Sequence, residues 1–148
     1  DYKESQVIKA VKDDFKKNSQ LSYELNKFIK PNAKILHFAD DFGQLDILLA
    51  LQESNRKIDS FILDENYRNV ANTNNYLKKR AIKYLDTIEH IDYNKYETIL
   101  ISDKSFTFDS IDFSGEIIII NNPERKANFI NKGFSSKTET NQIAVLKK

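Results

Sequence analysis

The residue types and spacings that bear on chemistry gather in HFADDFG, His37 to Gly43. The aliphatic run KILHFA leads into this stretch and helix-spaced Leu45, Leu48 and Leu49 follow it, so it reads as a strand entering a helix through a tight turn. In an open parallel sheet, ligands bind beyond the carboxyl ends of the strands, where helix N-termini present free N–H groups. Gly43 allows a positive φ or a close backbone approach at that place. The plain alternative is that it only permits the turn. Asp40 and Asp41 suit the positive end of a helix dipole but repel a pyrophosphate, so a cationic or neutral ligand is the easier guest. A sulfonium group meets that condition.

Asp64 closes the next strand about twenty residues after the turn, the position from which a carboxylate reaches a ribose diol. The same residue is also an ordinary helix cap, and Glu65 beside it can exchange roles with it. Ser102, Asp103 and Lys104 follow a later strand at the same sheet edge, where a group facing a substrate would sit, and Asn121, Asn122 and Pro123 follow another. His37 and His90 both lie in strand-like runs without metal-ligand spacing, and read as packed or hydrogen-bonded histidines; no metal site is expected. Ser114 precedes Gly115 without the other landmarks of a nucleophile elbow, and no spacing supports a Ser-His-Asp triad. No catalytic base is identified.

These groups need elements to hold them. Apolar Val7, Ile8, Val11 and Phe15, then Leu21, Leu25, Phe28 and Ile29, recur at helical spacing, and KKNSQ with Ser19 as an N-cap predicts two short helices closed by Pro31. Strands are expected at KILHFA, IDSFILD, TIEHI, YETILIS and GEIIII, the last buried on both faces because its apolar run does not alternate. A helical stripe runs from about Tyr67 to Leu85 through the weak helix formers Asn72, Thr73, Asn74 and Asn75. Pro123 and Gly133 bracket a further helix, and the tail predicts a hairpin turning at Asn141 and Gln142. The segment from Asp103 to Ser114 is too short and mixed to assign. Alternating strands and helices imply a mostly parallel sheet with helical layers.

Composition bounds the rest. The 148 residues suffice for one core, expected as a single domain with a helical preface at 1–31 and an α/β body at 34–148. Lys and Arg total 23 against 22 for Asp and Glu, which gives no global signal for nucleic acid or an anionic membrane. The basic stretch YLKKRAIKYL reads as a solvated helix face. Without cysteine there is no disulfide framework or thiolate metal site, and a cytoplasmic setting is the expectation. Asp1 at the front and the lack of Met suggest a processed protein or a domain excised from a larger one, with a neighbouring domain as a conceivable partner.

The order of elements, with KILHFADDFGQLDILLAL, KIDSFILDENYRNVANTNNYLKKR, YETILIS and GEIIII, resembles a class I S-adenosylmethionine-dependent methyltransferase domain over nearly the whole chain. The resemblance implies a Rossmann-like, three-layer α/β fold, a seven-stranded sheet with an antiparallel last strand, and S-adenosylmethionine as cofactor. Against the family's glycine-rich loop, His37 stands at the acidic position, Ala39 and Asp41 at glycine-like positions, and Gly43 alone keeps the family residue. Asp64 matches the ribose-binding acid, Asp92 the acid near the adenine amine, and Ser102 and Asp103 the edge that contacts substrate. Two functions follow: a cofactor-binding methyltransferase-like domain acting on an unnamed small molecule or protein, or a non-catalytic module of the same fold that stabilises or recruits a partner.

Overall fold

Seven strands form one sheet in the computed structural model, which describes residues 2–75, 77, 81–108 and 111–148. In chain order the elements are α1 (Tyr2–Leu25), β1 (Lys34–Ala39), α2 (Gln44–Gln52), β2 (Lys57–Ile62), α3 (Glu65–Thr73) and β3 (Ile82–Tyr84). A 3-10 turn (Tyr93–Lys95) leads to β4 (Thr98–Ile101), then come β5 (Glu116–Ile120), α4 (Pro123–Asn131), β6 (Ser135–Glu139) and β7 (Ile143–Lys147). The strand order is β3-β2-β1-β4-β5-β7-β6, parallel except that β7 runs antiparallel to both β5 and β6. This is the expected α/β sheet with its antiparallel C-terminal end, and the hairpin turns at Asn141 and Gln142.

β1 and β4 are paired at the centre of the sheet, with His37 opposite Leu100. Alternation along β1 sends Ile35, His37 and Ala39 to one face and Leu36 and Phe38 to the other. The first face packs on α1, α2 and α3 through Leu21, Leu25, Leu45, Leu49 and Ala71. On the second face lie α4, through Phe129, and the irregular segments before β4 and β5, through Tyr96, Phe106, Phe108, Ile111 and Phe113.

Arg56 holds the helical face together. Its fully buried guanidinium donates to the Leu49 carbonyl at 3.0 Å, to Asn26 Oδ1 at 2.8 Å and to the Ile29 carbonyl at 3.2 Å. It thus joins the end of α2 to the turns that follow α1. At α4, Asn122 Oδ1 accepts from Arg125 N and Pro123 takes the first turn. The helix ends with Gly133 at φ +100° and a Phe134 N–H to Phe129 carbonyl bond, a Schellman stop.

Four expectations are corrected. The preface is one helix: KKNSQ holds no Gly or Pro, and poor propensity at Ser19 alone does not break α1. The helix from Tyr67 ends at Thr73. Asn75, buried just beyond, uses its amide to donate to the Ile82 carbonyl and to accept from Leu77 N, a local alternative to helical bonding. The third strand is therefore Ile82–Tyr84, inside the expected helix. TIEHI is not a strand but a turn, with His90 at φ +62°. Tyr76, Lys78, Lys79 and Arg80 of the basic stretch lie outside the described residues.

Candidate functional site

The ends of β1, β2 and β4 frame a groove of about 360 Å³ lined by Ala39, Asp40, Ile62, Leu63, Asp64, Tyr67, Asp103 and Ser105. Three carboxylates enter its wall. Asp64 caps α3, with Oδ1 accepting from Tyr67 N at 3.0 Å. Asp103 is buried just past β4, where one oxygen accepts from Ser105 N, Ser105 Oγ and Phe106 N, which folds the chain sharply after the strand. Asp40 stands exposed in the turn after β1, and its pKa is raised by partial burial and by the nearby Asp103 charge. At the groove's rim Phe42 and Tyr67 stack with ring centroids 4.3 Å apart.

Asp41 does something different from its neighbour. Its two oxygens accept from Gly43 N at 2.9 Å and Leu45 N at 3.2 Å, so its carboxylate occupies the positive end of α2. Burial, and then the Asp46 charge, raises its pKa. Folded back onto the helix, Asp41 stays out of the groove. Gly43 has φ +93°, and a Cβ there would run into the Tyr84 hydroxyl, so both the backbone shape and the close packing need glycine.

His37 is fully buried on the helical face of β1. Nδ1 lies 2.6 Å from Asp46 Oδ1, and Nε2 lies 2.6 Å from Ser102 Oγ. Burial alone would lower its pKa, but Asp46, with Asp41 and Asp40 behind it, turns the net shift upward. The Ser-His-Asp constellation that no spacing indicated is therefore present in space: strand β1, helix α2 and the end of β4 each contribute one member.

Of the residues singled out from the sequence, Ala39, Asp64 and Asp103 share the groove wall, and Asp41 and Gly43 shape the turn below it. His37 and Ser102 meet each other on the helical face instead. Asp92 caps the 3-10 turn through Asn94 N and is not among the groove's lining. Asp46, Tyr67, Tyr84 and Ser105 were not anticipated. A signal for Asp46 did exist, as an acid set between Leu45 and Leu49 on an otherwise apolar helix. Among the described residues no group of three or more His, Cys, Asp or Glu is arranged to hold a metal.

The strand order is that of a class I S-adenosylmethionine-dependent methyltransferase-like fold, and solved structures agree. TrmK from M. capricolum, determined with its natural cofactor product S-adenosylhomocysteine, superposes with a TM-score of 0.57 at 14% identity, over 85% of this chain and 65% of TrmK. TrmN from Thermus thermophilus gives 0.63 at 13% identity over 88% of this chain and 48% of its own. A precorrin-6y C5,15-methyltransferase from Geobacter metallireducens gives 0.61 at 10% identity, covering 88% of this chain and 87% of that one. The chain thus spans less than two thirds of TrmK and about half of TrmN, and at these identities the likeness is one of fold. No protein-family model and no curated protein matches the sequence.

Proposed function

We propose that the groove binds a sulfonium nucleoside of the S-adenosylmethionine class, which makes the chain a cofactor-binding methyltransferase-like domain. The observation that carries this reading is the convergence of Asp40, Asp64 and Asp103 on one groove at the carboxyl edge of β1, β2 and β4. The donor set suits the group. Asp64 spends Oδ1 on its helix cap, and its other oxygen is the acceptor for a ribose hydroxyl. Asp40 and Asp103 set a negative field for a sulfonium or ammonium charge, and Asp41, turned away, leaves room where the family pattern has glycine. When bound, such a cofactor supplies a methyl group on a positively charged sulfur; the groove residues supply its orientation. The bound cofactor product of TrmK supports the reading by analogy of fold.

A second reading, a non-catalytic module that recruits or steadies a partner, is favoured by a different observation. The helix N-terminus that would face a ligand is already satisfied by Asp41, and Asp41 and Ala39 replace glycines of the resembled loop. Calorimetric titration with S-adenosylmethionine and S-adenosylhomocysteine separates the two. Asp64→Ser keeps a good N-cap while removing the carboxylate. Micromolar binding by the unaltered chain that weakens by about tenfold or more in Asp64→Ser is expected, as for loss of a hydrogen bond to a charged acceptor. A folded chain that binds neither compound supports the second reading.

A further inference from the structure

On the far side of the Asp40–Asp41 turn from the cofactor groove lies a second, smaller cavity of about 180 Å³, whose wall includes Lys17, Asn18, Ser102, Lys104 and Asn121. Ser102 is partly exposed there, whereas His37 and Asp46 behind it are fully buried. From the geometry of these three side chains and the cavity that Ser102 faces, we infer that Ser102 is an activated nucleophile that takes an acyl group from a small thioester or aryl ester.

The hydroxyl has two acceptors within reach. His37 Nε2 is at 2.6 Å and the Phe38 carbonyl at 3.3 Å, so the imidazole is the closer one. Asp46 Oδ1, 2.6 Å from Nδ1, fixes the tautomer that leaves Nε2 free to take the Ser102 proton and stabilises the imidazolium that results. The lining also holds the ammonium-bearing Lys17 and Lys104 and the amides of Asn18, Asn121 and Gln142, a surplus of donors for a developing oxyanion. Beside them stand the carboxylate of Asp40 and that of Asp41, whose oxygens are already engaged by Gly43 N and Leu45 N.

The step balances without a further reactant. Ser102 Oγ attacks the acyl carbon as its proton moves to His37 Nε2, and the carbonyl electron pair shifts to oxygen. When that pair returns, the bond to the leaving group breaks. The leaving group departs with the electrons, and acyl-Ser102 remains beside protonated His37. Because His37 is fully buried and reaches the cavity only through Ser102, it cannot hand a proton to a departing alkoxide. The substrate class therefore has a leaving group stable as an anion, a thiolate or a phenolate. This site does not depend on cofactor binding in the groove.

The groups that set its pH dependence are Asp46 from α2 and Asp41 and Asp40 from the turn. Around them stand the Tyr84 hydroxyl of β3, which faces Asp46 and whose own pKa burial pushes up, and Lys17 of α1 and Lys104 after β4 on the cavity wall. His37 is a base only when neutral. Reactivity should rise with pH through a midpoint above the ordinary 6.5 of histidine.

The test uses an alkyl fluorophosphonate, whose fluoride leaves as an anion, on the whole chain, read by intact mass and peptide mapping. One adduct per chain at Ser102 is expected, with the rate at least tenfold lower in His37→Gln. Since that variant could fail to fold, Ser102→Cys gives an independent reading: the chain has no cysteine, so this would be its single thiol. Paired with His37, the thiol should react with iodoacetamide well below the ordinary thiol pKa of about 8.5. The inference fails if Ser102 takes no label, if labelling in a folded His37→Gln is undiminished, or if the introduced thiol titrates like a free one.

Discussion

The two faces of the sheet solve the same burial problem with different materials. One is covered by α1, α2 and α3, whose backbone polar groups are satisfied within the helices, with Arg56 tying the end of α2 to the turns after α1. On the other, α4 is the one α-helix among the described residues, and the described residues between β4 and β5, 102–108 and 111–115, carry no helix or strand. Phe38, Phe61, Phe106 and Phe108 interlock there, with Phe38 centroids 4.9 Å from both Phe106 and Phe108. The loop carbonyls are met by long cations from α4 and its C-cap, Arg125 to Phe106 O and Lys132 to Phe108 O at 2.6 Å. Large aromatic area and borrowed donors therefore replace helical hydrogen bonding. The helical face carries the buried His37 cluster, and the groove lies along the carboxyl edge where the two coverings meet.

Breaking the aromatic face should have the largest effect. Phe38→Ala removes the ring at the centre of that cluster and is expected to cost about 4 kcal/mol in denaturant unfolding. Arg56→Ala, the matching insult to the helical face, leaves buried carbonyls at Leu49 and Ile29 unpaired and should cost about 3 kcal/mol. Gly43→Ala, at φ +93° and against Tyr84, is expected to cost about 2 kcal/mol, measured in the same way. Arg125→Ala sharpens the contrast: amide exchange should quicken across 103–108 and remain unchanged in α2.

The smallest effect is in pH. His37 has its pKa raised in the folded chain, so its contribution to stability is fully present below about 6.5 and is lost as pH rises through the higher folded value. Unfolding midpoints should fall as pH rises through that window, and the fall should flatten in His37→Gln. Groove binding should run the opposite way. S-adenosylmethionine, as a cation, is expected to bind more weakly as pH falls through the raised pKa of Asp40.

Much of the strand framework was legible because KILHFA, IDSFILD, YETILIS and GEIIII are apolar runs bounded by polar turns. The helix after β2 was overdrawn because periodicity continues through Leu77 and Ile82, while the bonds that stop it belong to the side chain of Asn75. TIEHI has strand composition, but its own Ile88 and Ile91, with Leu85 just before it, already pack on the aromatic face from a loop. In the site, spacing located the turn and Asp64 but not the partnership of His37 with Asp46 and Ser102. That contact joins residues 9 and 65 positions apart in sequence, and the lone acid in the apolar run of α2 marks one member without naming its partners. The inward direction of Asp46 depends on how α2 rolls on the sheet.

The ends of the sheet decide whether it can grow. β3 is only Ile82–Tyr84, and β6 is Ser135–Glu139, polar or charged at every position and irregular in register between Ser136 and Thr138. Lys137 is paired to Glu116 and Lys126 to Glu139, which places charge along that border. A short strand on one side and a kinked, charged one on the other give a second chain no long flat template for pairing. The aliphatic β5, a segment prone to self-association if bare, lies two strands inside this border, shielded from edge-to-edge aggregation by the hairpin that follows it.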